Sequence, residues 1–431
     1  MNSDTSLPRV VLGVAGGIAA YKAVEVLRGL AESGHDVTVV PTEAALRFVG
    51  EPTWAALSGQ PVATSLWQQT QQVPHVRLGQ QADCIVIAPA TADLLARLVT
   101  GIAGDLLTNV VLTARCPIVI APAMHTEMWL HPATAANVAT LRDRGAIVLD
   151  PAVGRLTGAD SGPGRLPDPA LIVDVVRSAL RGSTQRPLTD LAGLRVVVTA
   201  GGTREAWDPV RYLGNRSSGR QGVAVARAAV ARGARVHLVA GAMDVPPPAG
   251  VDSTVVESAE QMLQSVRQSL VACDVLVMAA AVADFRPATR RDAKIKKEAG
   301  LPELHLEPTV DILASLCAER AGSRPLIVGF AAETARDDEE LLELGAQKFH
   351  RKGCDLLVVN DVGGAEPVFG SDRNQVVILA GSGLAGSGPA GVGIVARVGP
   401  ADKTTVAHGI WDAVRAHLAA APTPTAVNPT D

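Results

Sequence analysis

The sequence predicts an α/β protein made of two doubly wound domains with mainly parallel sheets. Runs of apolar, β-forming residues alternate with segments of helical spacing along the chain, an order that places parallel strands between layers of helices. The order also occurs twice, because RVVLGVAGG at residues 9–17 and RVVVTAGG at 195–202 each join a strand to a glycine turn. At 431 residues the chain is long enough for two cores, so we expect two Rossmann-like domains.

The elements of each half follow in the same sequence. In the first half a helix after the glycine turn is indicated by four apolar residues at helical spacing, Ile18, Tyr21, Val24 and Leu27, and HDVTVV begins the next strand. In the second half we expect a helix from about Gly219 to Ala231 and then the strand ARVHLVAG. A further strand in each half ends in a similar polar segment, DCIVIAPATAD at residues 83–93 and CDVLVMAAAVADF at 273–285.

The domain boundary is predicted from composition. The polar segment Arg181 to Asp190, RGSTQRPLTD, separates a helix from a new strand. We therefore expect domains at residues 1–186 and 187–420. Residues 421–431, APTPTAVNPTD, have the composition of a disordered tail.

Charge and hydropathy indicate small-molecule partners. The net charge is −4 with both signs interspersed, which leaves no broad cationic surface for nucleic acid or an anionic membrane. No apolar run reaches the roughly 18 residues that a membrane-spanning helix needs, and MNSDTSLPR lacks the apolar core of a signal peptide. We expect a cytoplasmic protein whose five cysteines, without a CxxC pair, are buried thiols.

Ligands of doubly wound sheets bind at the carboxyl ends of strands. In the first half this places GVAGGIAA, which resembles a phosphate turn, beside Thr91, Asp93 and the segment Pro122–Trp129. The turn lacks GxGxxG spacing, which favours a mononucleotide over a nicotinamide dinucleotide, and an ordinary strand–helix turn is an equal alternative. His75 is a candidate acid or base, with a structural histidine as the alternative.

The second half carries the residues expected around a phosphorylated ligand. One loop before a predicted helix contains Arg204, Arg211, Asn215, Arg216, Ser217, Ser218 and Arg220. Asp284 follows a buried strand, where a carboxylate can bind Mg²⁺ or a nucleotide base. Lys294, Lys296 and Lys297 follow and suit phosphates, although such clusters are often solvated surface.

Longer motifs carry a family resemblance over residues 8 to 415. The first half resembles the flavin-dependent cysteine decarboxylases, and the motifs are GVAGGIAAYK, Thr42–Ala45, VRLGQQAD after His75, APATADLLARL, PAMHTEMW and GPGRL. The second half resembles phosphopantothenate–cysteine ligases through AAVADFRP, KIKK, GFAAET, KFHRKGCD and VVND. The whole chain is therefore similar to the bifunctional proteins of coenzyme A biosynthesis.

For the first half the resemblance implies FMN and decarboxylation of a cysteine adduct. FMN would contact Gly16, Gly17, Ile18, Ala19, Thr42, Pro89, Ala90, Thr91 and Asp93. His75 would move a proton near the flavin, and the substrate would contact Met124, His125, Met128, Trp129 and Gly158. His125 stands where the family has an asparagine that binds the substrate carboxylate, and Gly158 stands where the family has a proton-donating cysteine.

For the second half the resemblance implies ligation of cysteine to 4′-phosphopantothenate with CTP and Mg²⁺. CTP would lie along Asp284, Lys294, Thr309, Val310, Asp311, Ile312, Phe330, Lys348 and Lys352, with the metal at Asp284. Asn215 would act on an acyl-cytidylate, Lys294 on developing phosphate charge, and Arg211, Ser217 and Ser218 would bind substrate. Residues 309–312 read TVDI instead of the usual NPDI, which weakens the case for side-chain contacts there.

The resemblance also implies a homo-oligomer, with trimers of the first half and dimers of the second combining into a dodecamer. Two alternatives remain at this point. An active ligase fused to a regulatory or weakened flavin-binding domain is favoured by His125 and Gly158. A tandem nicotinamide oxidoreductase is opposed by the missing GxGxxG.

Overall fold

The structure is a computed structural model that describes residues 7–66, 73–156, 160–181, 189–248, 251–296, 303–363, 371–381 and 391–420. The chain separates into two compact units, residues 1–189 and 190–431. The division falls within the polar segment 181–190. Gly158, Lys297 and the expected tail at 421–431 lie outside the described residues.

The first unit is a five-stranded parallel sheet covered by helices. Its elements are β1 (Arg9–Val14), α1 (Ala20–Glu32), β2 (Asp36–Pro41), α2 (Glu43–Leu46), α3 (Glu51–Ser58), α4 (Pro74–Gln81), β3 (Cys84–Ala90), α5 (Ala92–Thr100), α6 (Leu106–Leu112), β4 (Ile118–Pro122), α7 (Thr126–Leu130), α8 (Pro132–Asp143), β5 (Ile147–Val148), β6 (Ala152–Arg155), β7 (Ser161–Arg165) and α9 (Pro169–Arg181). The strand order is β2–β1–β3–β4–β5, and β6 and β7 form a separate antiparallel hairpin.

The second unit has the larger sheet. Its elements are β8 (Arg195–Ala200), β9 (Arg204–Ala206), β10 (Tyr212–Gly214), α10 (Arg220–Ala231), β11 (Arg235–Ala240), β12 (Asp252–Val255), α11 (Ala259–Ser269), β13 (Val275–Met278), β14 (Phe285–Pro287), β15 (Leu306–Pro308), α12 (Ile312–Glu319), β16 (Leu326–Glu333), α13 (Asp338–Lys352), β17 (Leu356–Asp361), β18 (Arg373–Gly381), β19 (Val392–Asp402) and α14 (Lys403–Ala420). A short 3₁₀ turn, Leu270–Ala272, follows α11.

The order in this sheet is β12–β11–β8–β13–β16–β17–β18–β19. The first six strands are parallel, and β18 and β19 extend the edge in antiparallel fashion. The predicted α/β class with mainly parallel sheets is confirmed. In both sheets the order reverses beside the first strand of the unit, between β1 and β3 and between β8 and β13, which is where doubly wound folds bind ligands.

Each sheet is buried between two layers of helices. In the first unit, apolar residues of α5, α6 and α8 cover one face, and α1 and α9 pack together on the other. In the second unit, α10 and α14 cover one face, and α11, α12 and α13 cover the other. Burial on both faces explains why the parallel strands read as continuous apolar runs instead of alternating patterns.

Helix α1 is confirmed, but of the four residues whose spacing predicted it only Leu27 is fully buried. Ile18 and Tyr21 are exposed, at 74% and 56% of their surface. The helix instead packs through Ala20, Ala23, Val26, Leu27 and Leu30. Small alanines let the helix lie close to the sheet, so side-chain size misled the prediction.

Candidate functional site

The first candidate site lies at the carboxyl ends of β1, β3 and β4. The Ala15 N–H donates to the Pro89 carbonyl at 3.1 Å, and the Ala123 N–H donates to the Ala90 carbonyl at 3.0 Å. These two bonds join the glycine turn, the APATAD segment and the start of the PAMHTEMW segment. The structure thus brings together three segments that the sequence analysis selected separately.

The two glycines of the turn have different roles. A Cβ on Gly16 would lie 2.3 Å from the Cβ of Ala44, so this position must be glycine for α2 to approach. A Cβ on Gly17 would meet nothing closer than Thr91 Cγ2 at 3.8 Å. Among the described residues no side chain caps α1, and its first turn has no acidic residue. The Ala20 and Lys22 N–H groups already donate to the Gly17 and Ala19 carbonyls, so an anion would be attracted by the positive end of the helix dipole and by the other N–H groups of the turn.

Thr42 and Thr91 each cap a short helix at this edge. The Thr42 hydroxyl accepts from the Ala45 N–H at 3.2 Å, and the Thr91 hydroxyl accepts from the Leu94 N–H at 3.3 Å. Accepting a bond leaves each hydroxyl with its own proton to donate to a ligand. Asp93 pairs with Arg97 at 3.0 Å on the exposed side of α5, so its carboxylate already has a partner.

His75 lies in the first turn of α4, after Pro74. Its Nδ1 atom is buried and has no hydrogen-bond partner among the described residues. The His75 carbonyl accepts from the Thr113 hydroxyl at 2.9 Å, which ties α4 to α6. A buried ring nitrogen without a partner is unusual in a purely structural histidine.

The PAMHTEMW segment packs against the β6–β7 hairpin. The Met124 N–H donates to the Gly164 carbonyl at 2.9 Å. Met124 and Trp129 also pack on the apolar core, whereas His125 is exposed at the start of α7. Met128 is 48% exposed. The segment is therefore anchored through Met124 and Trp129, and it exposes His125 and Met128 to solvent.

The second candidate site lies where β8 and β13 end side by side. The Thr199 hydroxyl accepts from the Ala280 N–H at 3.0 Å, and the Thr203 hydroxyl accepts from the Ala283 N–H at 2.9 Å. Both threonines are buried. They fasten the Gly-Gly turn to the AAAVAD segment, and the sequence analysis did not select either of them.

Asn215 and the two serines lie at the approach to α10. Asn215 Nδ2 donates to the Val282 carbonyl at 2.8 Å, and its side chain is otherwise exposed. The Ser217 hydroxyl accepts from the Gly219 N–H at 3.4 Å, and Ser218 is half-buried. Gly219 has φ +74°, a conformation that suits glycine and lets the chain turn into the helix.

Arg211 is bonded to the backbone of Ile295, the residue that follows Lys294. Arg211 Nη2 donates to the Ile295 carbonyl at 3.0 Å. Buried Asp208, which the sequence analysis missed, accepts from the Ile295 N–H at 3.2 Å. The only local signal was the Asp-Pro-Val sequence, which is typical of an Asx turn. Lys294 itself is exposed.

Five of the predicted nucleotide residues lie on or beside α12 and α13, namely Val310, Asp311, Ile312, Lys348 and Lys352, whereas Phe330 packs on the sheet face that α10 and α14 cover. Asp284 is exposed, and its carbonyl accepts from the Thr309 N–H at 2.9 Å. Asp311 caps α12, accepting from the Ala314 N–H at 3.1 Å, and pairs with Lys352. Lys348 pairs with Glu333. The remaining predicted residues are Val310 and Phe330, which are half-buried, and Ile312, which is 2% exposed and offers only its backbone.

The electrostatics of Asp311 follow from these partners. Burial opposes its ionisation, but the Lys352 ammonium and the Ala314 N–H outweigh burial and lower the pKa of the carboxyl. Asp311 is therefore charged at neutral pH and holds Lys352 in place.

Two family models match the chain, one for each of the two structural units. One described as "Flavoprotein" matches residues 1–181. One described as "DNA/pantothenate metabolism flavoprotein C-terminal domain" matches residues 191–417.

Curated relatives match both halves at once. The "Coenzyme A biosynthesis bifunctional protein CoaBC" of Mycobacterium tuberculosis is 54% identical over 417 residues, which cover 95% of this chain and 97% of that protein. The chain belongs to the CoaBC family. The CoaBC of Escherichia coli K12 is 41% identical over 373 residues, 85% of this chain and 89% of that one. A crystal structure of the C-terminal domain of CoaBC is 34% identical, with 54% of this chain and 98% of that chain covered, at a TM-score of 0.43.

This CoaBC family member is thus a bifunctional enzyme of coenzyme A biosynthesis, with phosphopantothenoylcysteine decarboxylase and phosphopantothenate–cysteine ligase activities. Its substrates are pantothenate-derived compounds and cysteine. Nothing in these similarities favours a regulatory flavin domain. No helix in the described part of the chain is long and apolar enough to cross a membrane.

Proposed function

We propose that the second unit joins cysteine to 4′-phosphopantothenate through an acyl-cytidylate made from CTP. The observation that carries this proposal is the edge between β8 and β13, where Asn215 is bonded to the Val282 carbonyl beside Asp284. A carboxylate is a poor electrophile. Attack by the phosphopantothenate carboxylate on the α-phosphate of CTP releases pyrophosphate and forms the acyl-CMP, and the cysteine amine then displaces CMP.

The charges of this site suit a nucleoside triphosphate. Lys294 is exposed next to the anchored Ile295, and an ammonium there stabilises charge that develops on phosphate oxygens. Lys348 and Lys352 now pair with carboxylates, so CTP would bind by replacing or sharing these partners. The start of α10, with Ser217 and Ser218 before it, provides N–H and hydroxyl donors for the phosphate of the substrate.

Magnesium fits this site if it binds together with the nucleotide. The described residues contain no group of three or more His, Cys, Asp or Glu side chains that could hold a metal alone. Mg²⁺ is commonly held by one or two carboxylates together with substrate phosphates and water. Exposed Asp284 would supply the protein carboxylate, and the metal would neutralise phosphate charge.

For the first unit we propose FMN as the flavin. Gly16 and Gly17 leave space for a close approach, and the uncapped N–H groups of α1 suit the single phosphate of a mononucleotide. When bound, FMN would supply oxidation of the thiol-bearing carbon to a thioaldehyde, which makes loss of carbon dioxide easy, and the later reduction. The contact residues are those that the resemblance names, from Gly16 to Ala19, Thr42 and Pro89 to Asp93.

The side chains of the first unit hold the substrate and move protons. His75, with its unpartnered Nδ1, is suited to take or return a proton beside the flavin. His125 would donate a hydrogen bond to the substrate carboxylate in place of the family asparagine, between the anchored Met124 and Trp129. Met128 would cover the substrate. The returning proton has no cysteine donor at Gly158, and Thr157, Asp160 or water are the candidates.

The ligase proposal is tested at Asn215. Asn215→Asp preserves size but places a negative charge beside the acyl-cytidylate. We expect pyrophosphate release from CTP to continue while the amide product falls at least about 10-fold, as mixed anhydride accumulates or hydrolyses. Pyrophosphate, CMP and the amide product are quantified in one incubation. Ligation at the wild-type rate would refute the assignment of Asn215.

The FMN proposal has a direct test. The purified protein is denatured, and the released cofactor is identified by its flavin absorbance and its mass. Release of FMN supports the proposal, whereas release of FAD, or of no flavin from protein reconstituted with FMN, overturns it.

The cellular location and assembly are also proposals. We expect a cytoplasmic homo-oligomer, with trimers of the first unit and dimers of the second combining into a dodecamer. Exposed apolar side chains in each unit, such as Ile18, Tyr21 and Phe285, are consistent with subunit contacts. Light scattering of the intact chain measures the number of subunits.

A further inference from the structure

The turn between β9 and β10 is organised by one buried carboxylate. Asp208 is 2% exposed. Its Oδ1 accepts from the N–H groups of Val210 at 2.8 Å and Arg211 at 2.7 Å. Its Oδ2 accepts from the N–H of Ile295 at 3.2 Å, a residue 87 positions further along the chain. A buried carboxylate is costly without partners, and here both oxygens have backbone donors.

Arg211 completes the contact from the other side. Its Nη2 donates to the Ile295 carbonyl at 3.0 Å, and its Nη1 lies 3.5 Å from Asp208 Oδ2. The guanidinium carbon also lies 5.6 Å from the ring centroid of Trp207. Both backbone groups of Ile295 are therefore held, the N–H by a carboxylate and the carbonyl by a guanidinium. A third bond, from the Arg291 N–H to the Trp207 carbonyl at 2.9 Å, fixes the same two segments together.

The residue before Ile295 is Lys294. A lysine ammonium is carried by a flexible four-carbon chain. The region that the ammonium can occupy is therefore fixed only if the backbone of the lysine is fixed. Lys294 is exposed, and its neighbour on the carboxyl side is the residue that Asp208 and Arg211 hold. Arg211 was predicted to bind the substrate, and in the structure one nitrogen of its guanidinium donates to the protein backbone.

We propose that Asp208 and Arg211 are positioning residues for Lys294 in the ligation reaction. The inference rests on the proposed role of Lys294. Because the pair acts on the backbone and not on the ligand, its loss affects the chemical step more than substrate binding. Asp208→Asn keeps the size and shape of the side chain but has only one acceptor oxygen. That oxygen cannot accept both from the Val210 and Arg211 N–H groups and from the Ile295 N–H.

The experiment is a double-mutant cycle on ligation in the intact chain. We expect Asp208→Asn to lower kcat about 100-fold with KM for phosphopantothenate nearly unchanged. In a Lys294→Gln background the same change has no further effect, because the residue it positions is gone. Arg211→Lys, which keeps the charge, is the second variant and gives the same pattern. Asp274→Asn is the matched control, since Asp274 also accepts a backbone N–H, from Arg195 at 2.9 Å, outside this turn.

The outcomes separate this inference from the proposed function. If Lys294→Gln ligates normally, the role of Lys294 itself is wrong. If Lys294→Gln is defective but Asp208→Asn matches Asp274→Asn, only the positioning role is overturned. Losses that multiply in the double variant, or a rise in KM without loss of kcat, also overturn it. Decarboxylation of added 4′-phosphopantothenoylcysteine is measured throughout, and its retention shows that the variant chain is folded in the first unit, while thermal unfolding reports on the second.

Discussion

The Met124 N–H donates to the Gly164 carbonyl at 2.9 Å, which joins two motifs 40 positions apart. The two backbones can approach this closely because Gly164 has no Cβ: an added Cβ would lie only 2.2 Å from the Met124 carbonyl oxygen. Next to it, a Cβ on Gly162 would lie 2.5 Å from the Thr126 hydroxyl. The glycines of the GPGRL motif therefore let the β6–β7 hairpin rest directly on the backbone that carries His125.

Gly164→Ala should disturb this contact. The added Cβ meets backbone, which cannot move aside as a side chain can, so we expect destabilisation of about 1–3 kcal/mol and at least about a 10-fold loss of decarboxylation. Thermal unfolding and turnover of added 4′-phosphopantothenoylcysteine measure these effects. Gly104→Ala is the control, because no heavy atom lies within 4 Å of its added Cβ. Equal decarboxylation by the two variants would contradict the account.

The adjacent glycines of the first unit give a second test. Gly16→Ala should destabilise the fold by about 1–3 kcal/mol, since its Cβ would overlap Ala44. Gly17→Ala meets no such obstacle in the protein, so it should fold normally and bind flavin more weakly only if the flavin approaches this residue. Flavin titration and unfolding are measured on both variants. Normal flavin affinity in Gly17→Ala would remove Gly17 from the proposed site.

His125 should make substrate binding depend on pH. A protonated imidazole binds a carboxylate more strongly than a neutral one, so KM for decarboxylation should rise as the pH is raised. In His125→Asn this rise should be lost. His131→Asn serves as the control, because His131 is exposed and caps α8 through the Ala133 N–H at 3.1 Å. Identical pH profiles for wild type and His125→Asn would exclude a role for imidazole charge.

Asp105 should contribute stability that depends on pH. Burial acts against its ionisation, but donors from Thr108 and Arg97 outweigh burial and lower the pKa of the carboxyl. A lowered pKa in the folded state stabilises the protein above the unfolded pKa of about 3.9, and that contribution is lost as the pH falls through the folded value. Asp105→Asn keeps a helix cap but loses the ion pair with Arg97 at 2.7 Å.

Unfolding by urea at pH 7 and pH 3 measures this contribution. The Asn variant should be less stable than wild type at pH 7 and approach it at pH 3. Asp105→Ala, which also loses the cap, should be about 1 kcal/mol less stable than the Asn variant at both pH values. A difference between wild type and Asn variant that stays constant with pH would show that the charge of Asp105 contributes nothing.

The sequence predicts both sheets and both binding edges because the responsible signals are local. Apolar runs, glycine turns and helical spacing each occupy a few neighbouring residues, and the topology then places the strand ends together. The antiparallel edge strands β18 and β19 were not predicted, since a buried antiparallel strand such as β18 reads much like a parallel one.

Contacts between distant segments had no such signal. Asp208 reads as a turn residue, and only the fold shows that it also holds Ile295. Thr199 and Thr203 read as polar residues near strand ends, although both are buried and bond to the AAAVAD segment. Ile312 lies in a motif expected to bind nucleotide, but its side chain fills the core. Whether a residue is buried depends on which distant segments pack against it. The local sequence pattern does not contain that information.

The most direct test is mass spectrometry of the products formed from 4′-phosphopantothenate, cysteine, CTP and Mg²⁺ by the purified chain. We predict a product with the mass of 4′-phosphopantetheine, together with CMP and pyrophosphate, which requires both units to act in sequence and another proton donor to replace the family cysteine at Gly158. Accumulation of phosphopantothenoylcysteine alone would contradict the account of the first unit. A species two hydrogens lighter than phosphopantetheine would show decarboxylation without the final reduction, and absence of any amide product would contradict the account of the second unit.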